Sequence, residues 1–397
     1  HQCGHIGQKL AQELMQAGLG EGVIISPKDL AFDKAKQYAK KYRDLGKGVL
    51  LDPQYYDPEF AAGKLETWPI SEFRQSIGGL SALPSSICSD LARAIEKENR
   101  ELGCDAVIAP AIPYEAARPE IIALNARLFE IAKNAGDAIG IPTYATVVIG
   151  RSATTVEVVE GILSGATTLE ADGWYYGFEI DGQQRLPTGI DVVYRYCLAG
   201  LTLACSGKGV LHAYSGPLAN IAYGAGARAV GIGIWQNLWG FKRTKFQVTA
   251  EQGGGGEAPP RYFSGVLWGT IVYPDEVVQL SKRISKSFSS QILQPSSPYS
   301  PSSSAITWSK WESRKHMVYI IASMTNRLAQ MADARRAMEA AVAALETASM
   351  FHQQIVAAGI QLKDETDAYQ SSWAAAGKKL LTEHSKDYDW LELCGGP

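Results

Sequence analysis

The chain is poor in the signals that usually betray a function. No apolar stretch approaches the ~18 residues needed to span a bilayer, and no signal-peptide pattern stands near the start. A cytoplasmic protein without membrane contact is therefore expected. An excess of one charge is also missing: 38 Lys and Arg stand against 41 Asp and Glu, a net charge of -3. No global basicity advertises nucleic acid, and any such surface must be a local patch. The six cysteines, Cys3, Cys88, Cys104, Cys197, Cys205 and Cys394, include no Cys-x-x-Cys pair and read as reduced, mostly buried thiols. Cys3 and His5 are a close ligand pair, too few alone for zinc. No metal and no cofactor are expected. The absence of Gly-x-Ser-x-Gly argues against a nucleophile elbow. The absence of Gly-x-Gly-x-x-Gly after the first strand argues against a dinucleotide fold.

What is present is repetition. Eight short apolar runs recur: Val23–Ser26, Gly48–Asp52, Asp105–Pro110, Pro142–Ile149, Trp174–Ile180, Gly209–Ala213, Ala229–Ile234 and Val266–Tyr273. Most are followed by a stretch with helical character. Continuous apolar runs, as opposed to alternating ones, mark parallel strands covered by helices. Eight such units close a parallel barrel in the usual ~250 residues. The predicted fold is an α/β (β/α)8 TIM-type barrel over residues 1–286. A Ser/Pro-rich linker follows over 287–304, and a C-terminal helical region over 305–397. In that last region Ile321, Met324, Leu328, Met331, Met338, Val342 and Leu345 recur at helix-compatible spacing. Its apolar content is thin, so it is expected to pack on the barrel or on another subunit.

A barrel places its chemistry in the loops after the carboxyl ends of the strands. Two of these loops are long, about 53–85 and 235–263, and suit covers over the mouth. Glu179 follows the aromatic run Trp174, Tyr175, Tyr176 and Phe178, so a partly desolvated carboxyl with a raised pKa is expected there. Asp52 occupies the matching place on the second predicted strand, with Asp181 just beyond Glu179. His212 is one of six histidines and lies inside a predicted strand. Asp52, Glu179, Asp181 and His212 are the candidate catalytic set.

Candidate binding residues ring the same mouth: Lys28, Tyr55, Tyr114, Glu115, Arg151, Tyr214, Gln236 and Asn237. The stretch Ser215-Gly216-Pro217, and Gly233 within the next predicted strand, resemble Gly-rich turns that present backbone amides to phosphate. Lys242, Arg243 and Arg261 would add positive charge to an anionic ligand. Flat Trp and Tyr rings beside cations suit a nucleobase or sugar.

Two functions follow as expectations. The first is a metal-independent enzyme acting on a nucleotide, nucleoside or nucleic-acid base by carboxylate chemistry, of a transglycosylase or glycosidase kind. The second is a non-catalytic recognition barrel that docks into a protein or protein–nucleic-acid assembly, or onto a second copy, through its C-terminal helices.

Overall fold

A computed structural model describes residues 1–3, 7–58, 63–73, 85–180, 186–233, 239–247, 259–293, 297–301, 307–331, 333–363 and 367–394. Their contacts divide the chain into two units. Unit 1 comprises His1–Arg185, Ala199–Gly216 and Ala227–Gln252; unit 2 comprises Leu186–Leu198, Pro217–Gly226 and Gly253–Pro397.

Unit 1 is a parallel α/β sheet whose strands follow chain order. They are β1 (Gln2–Cys3), β2 (Gly22–Ile25), β3 (Gly48–Leu51), β4 (Ala106–Ile108), β5 (Thr143–Ile149), β6 (Gly173–Phe178), β7 (Gly209–His212) and β8 (Ala229–Val230). Helices α1 (Gly7–Gln16), α2 (Phe32–Asp44), α3 (Ser85–Leu102), α4 (Pro119–Ile139) and α5 (Val156–Ala166) lie between the first six strands. Local chemistry sets several of their ends. Pro119 and Glu120 open α4, and Gly140 closes it in the left-handed region at φ 72°. Thr155 caps α5 by accepting from the Val158 amide.

The strand registers sort the side chains into two faces. Ile24 pairs with Leu50, Leu50 with Ala106, Ile108 with Tyr144, Thr146 with Tyr175, and Tyr175 with Leu211. Ile24, Ile108, Val148, Tyr175, Leu211 and Ala213 belong to one buried cluster, with Leu50 and Tyr144 packed against it. Alternation puts Val23, Val49, Val107, Val147, Trp174, Tyr176 and His212 on the other face. Because both faces are largely buried, strands β2 to β7 read as apolar runs.

The sheet is curled. Strands four places apart in a flat sheet would lie ~19 Å from each other. Yet Tyr214, just after β7, donates from its hydroxyl to Asp52, just after β3, at 2.6 Å. Among the described residues β1 does not pair with β8, so the sheet is an open half-barrel.

Two expectations change. The apolar run Val266–Tyr273 does not supply the last parallel strand. It contains β10 (Gly269–Val272), which pairs antiparallel with β9 (Arg261–Ser264) in unit 2. Only four residues separate the two, a hairpin distance that no parallel crossover can span. The first strand of the sheet is instead β1, two residues long and too short to register as a run.

Unit 2 adds α6 (Ile190–Ala204, which also runs into unit 1), α7 (Ala219–Ala222), α8 (Asp275–Arg283), α9 (Lys286–Ile292), α10 (Lys310–Ala329), α11 (Ala334–Ala357), α12 (Asp367–Glu383) and α13 (Ser385–Leu393). Ser309 caps α10 by accepting from the Glu312 amide while its hydroxyl donates to the Glu312 carboxylate, and Asp333 caps α11 by accepting from the Arg336 amide. Helix α9 occupies the first part of the Ser/Pro-rich stretch. The C-terminal helices supply much of this unit's interior: Trp373 is fully buried and donates to the Pro187 carbonyl, and Tyr388 donates to that of Gly224. No helix among the described residues is long and apolar enough to cross a membrane.

Candidate functional site

The carboxyl ends of the unit 1 strands bring two polar clusters together. The first surrounds Asp52, which is wholly buried. Leu50 faces the inner cluster, so two-residue alternation carries Asp52 to the same side. Its Oδ1 accepts from the Tyr56 hydroxyl at 2.8 Å and the Gln54 amide at 3.1 Å. Its Oδ2 accepts from the hydroxyls of Tyr214 at 2.6 Å and Tyr175 at 2.9 Å. Burial pushes the Asp52 carboxyl above its ordinary pKa, and the tyrosine donors pull it back. Burial and the nearby Asp52 charge hold Tyr56 and Tyr214 well above the phenol range, so both remain O–H donors.

Gln54 knits this cluster to the loop after β2. From a left-handed backbone, φ 60°, it donates to Ser26 Oγ at 2.6 Å and to the Tyr214 hydroxyl at 3.3 Å, and accepts from the Lys28 amide at 2.9 Å. Phe241 and Phe246 complete the enclosure. Their rings stack 5.7 Å apart, and Phe241 meets Tyr56 and Tyr214 edge-on at 4.7 Å and 5.4 Å.

The second cluster joins Glu115, Glu179 and Arg243. Glu179 lies two alternation steps beyond Tyr175 and is buried. It accepts from the backbone amides of Arg243 at 3.0 Å and Arg151 at 3.3 Å. Glu115 accepts from the Ser152 amide at 3.0 Å. One Arg243 guanidinium nitrogen bonds to Glu115 Oε1 and lies 3.4 Å from Glu179 Oε2. Gly150 makes room for this arrangement: a Cβ there would stand 2.7 Å from the Glu115 carboxyl carbon.

Both clusters are closed by the segment 239–247, from the expected second cover. Lys28 Nζ donates to the Lys245 carbonyl, Lys245 Nζ donates to Gly240 O at 2.9 Å, and Gln247 bonds Asp57 at 2.9 Å. Its basic residue Arg243 thus meets wall carboxylates.

The remaining candidates are placed as follows. His212 shares the outward face with Tyr176, its ring 4.8 Å away edge-on, and so lies on the opposite side of the sheet from Asp52. Burial lowers its pKa to about 3, which makes it a neutral imidazole. Ser215 Oγ donates to the carbonyls of His212 and Ala213, a turn-closing role. Gly216 is required by close packing, since a Cβ would stand 2.4 Å from the Trp239 ring. The helix beyond it, α7, has only four residues. Tyr55 and Tyr114 are buried, and burial pushes Tyr114 up to about 12. Arg151 offers its amide to Glu179 while its side chain is exposed. Gly233 is buried after β8, and Lys242 is half-buried beside the Arg243–Phe246 turn. Arg261 belongs to unit 2, where its backbone bonds Ser313. Asp181, Gln236 and Asn237 lie outside the described residues.

Gln54 is legible beside Asp52 at a strand end, and Tyr56, Tyr175 and Lys245 as aromatic and basic residues near the mouth; sequence reasoning overlooked Phe241 and Phe246 as members of these clusters. Strand alternation carried a signal for Tyr175, which shares its parity with Glu179. Among the described residues, no group of three or more His, Cys, Asp or Glu is arranged to hold a metal ion. No protein-family model matches the chain, and no curated protein matches it.

Proposed function

We propose that the chain is a barrel-type enzyme that breaks or exchanges the glycosidic bond of a nucleoside, nucleotide or nucleic-acid base. The observation that carries this reading is the shared guanidinium: one nitrogen of Arg243 meets both Glu115 and Glu179. Their facing oxygens are therefore no more than about 6 Å apart, a range that includes the ~5–5.5 Å of a carboxylate pair that works through a glycosyl-enzyme intermediate and excludes most of the wider spacing of an inverting pair. In this reading Glu179, buried and held by two amides, attacks the anomeric carbon. Glu115, more open, protonates the departing base and then activates water or an incoming base. Arg243 holds the two apart from solvent until segment 239–247 moves and a substrate takes its place. The rings of Tyr56, Tyr214, Phe241 and Phe246 supply flat surfaces for a base or sugar. The curled sheet acts as the wall of a (β/α)8-type mouth.

The test is release of free base from the common ribonucleosides and their 5′-monophosphates. Glu179→Gln and Glu115→Gln should each lower turnover by about 10²–10⁴-fold with circular dichroism unchanged. Full activity in both variants would overturn the assignment.

A second reading, assembly through the C-terminal helices, is favoured by exposed Met350, Val356, Trp390 and Leu393. A Trp390→Asp, Leu393→Asp double variant that leaves the mass measured by light scattering unchanged would dispose of it at that patch.

A further inference from the structure

Unit 2 holds a cavity of about 730 Å³ that the chemistry proposed above does not use, within the ~300–1,000 Å³ of small-ligand pockets. One wall is a face of α10, where Ile320, Met324 and Leu328 recur four residues apart and Met331 carries the stripe into the following turn. Ala340 and Ala344, four apart on α11, form a second wall. A third is the turn of the β9–β10 hairpin, from Gly265 to Trp268. That turn packs on α10: a Cβ on Gly265 would stand 3.2 Å from Ile320 and 3.5 Å from the Met324 sulfur. Ser264 Oγ fixes it, donating to the Ile292 carbonyl at 2.9 Å and accepting from the Leu267 amide at 3.3 Å. Among the described residues Trp268 is the one ring in the lining, which is otherwise aliphatic or polar.

Its charge is of one sign. Among the described residues Arg327 is the one charged side chain in the lining, and no Asp or Glu lines it. Arg327 is exposed and makes no ion pair or side-chain hydrogen bond among those residues, so its charge stands uncompensated at the mouth. Ser323 lies one turn before it on the same face. A hydroxyl in mid-helix often turns back to the carbonyl four residues earlier, as Thr325 does to Ile321 O at 2.6 Å. Ser323 makes no such bond among the described residues. A guanidinium and a free hydroxyl thus present donors one turn apart, beside an aliphatic wall. One cation without a counter-charge matches a monoanion, and the planar fork of arginine matches a carboxylate. The flexible thioethers of Met324 and Met331 adapt to an alkyl chain.

We propose that this cavity binds a straight-chain carboxylate of the fatty-acid class, its head held by Arg327 and Ser323 and its tail lying along Ile320, Met324 and Leu328. The head stays at the wet mouth, where it keeps part of its hydration, and the tail leaves water for the aliphatic stripe. Burial of the tail supplies the affinity, and the arginine selects the head. A cationic amphiphile of equal length buries the same tail but meets Arg327 with like charge. The site is built from unit 2 alone and stands independently of the roles given to Glu115 and Glu179.

The test is calorimetric titration of the full chain with sodium dodecanoate and with dodecyltrimethylammonium bromide, each below its micelle concentration, at about pH 8, where the carboxylate is ionised. Dodecanoate should saturate one site with a Kd of about 0.2 mM or tighter. The ammonium compound should bind at least about tenfold more weakly. Arg327→Gln, at an exposed position, should weaken dodecanoate about tenfold with circular dichroism unchanged. Ala344→Phe, which fills the cavity, should remove the binding; Arg327→Gln decides even if that variant fails to fold. Absence of saturation, equal binding of the two amphiphiles, or dodecanoate binding undiminished by either substitution in folded protein would overturn the proposal.

Discussion

Tyr214 meets Asp52 from a left-handed backbone, φ 51°, with its hydroxyl 2.6 Å from the carboxylate. That conformation is uncommon for an aromatic residue and is held by the contact it makes possible. Tyr214→Phe keeps the ring against Phe241 but deletes one donor to a wholly buried carboxyl. It should destabilise unit 1 by about 1–3 kcal/mol, seen as a lower urea midpoint with unchanged slope. An unchanged midpoint would mean that the bond contributes nothing to the fold.

Two buried groups should tilt the stability curve in opposite directions. His212 titrates near 3 in the folded protein against an ordinary 6.5. Between those values the unfolded chain takes up a proton that the folded one excludes, so stability present above about pH 6.5 is lost as pH falls towards 3. Glu98 is buried, accepts from the Ile70 amide at 2.8 Å, and is pushed up to about 8 from an ordinary 4.5. Its stabilising contribution is full below about pH 4.5 and lost as pH rises through 8, because the unfolded chain releases the proton first. His212→Phe should flatten the acid side of a plot of melting temperature against pH, and Glu98→Gln the side between about pH 5 and 8. Each effect is up to a few kcal/mol. Parallel curves for variant and wild type would refute the corresponding assignment.

Gly224 shows what the Gly-rich stretch after β7 does in unit 2. A Cβ there would lie 2.6 Å from the Met338 Cα on α11, a backbone atom with no rotamer to yield. Gly224→Ala should cost about 1–3 kcal/mol and lower the melting temperature. Gly359→Ala meets no atom within 4 Å but stands at φ 73°, so its cost is backbone strain alone, about 1 kcal/mol. Equal losses in the two would argue that packing against Met338 is unimportant.

Much of unit 1 is legible in the sequence because its strands are buried on both faces and announce themselves as apolar runs. The same property hides direction: the run Val266–Tyr273 looks alike whether its strand pairs parallel or antiparallel, and the partner Arg261–Ser264 is folded into an apparent loop. Asp52 and Glu179 are legible as polar residues ending apolar strands. The link from Arg243 to Glu115 is not, since 128 positions separate them and only the fold brings them together. His212 illustrates a subtler limit. Its place in a strand could be read, but its face depends on registers that only the paired neighbours define.

That division of faces bears on how the sheet finds its alignment. When one face is wet, slipping a strand by a single residue drives its oily side into water, and the error corrects itself. Here both sides are oily, and a slipped β6 would cost little in burial: Tyr176 would turn inward and Tyr175 outward. What distinguishes the two alignments is that Asp52 would lose the Tyr175 hydroxyl at 2.9 Å in a place water cannot reach. The buried acid therefore serves as a proofreading mark for the pairing of its own sheet.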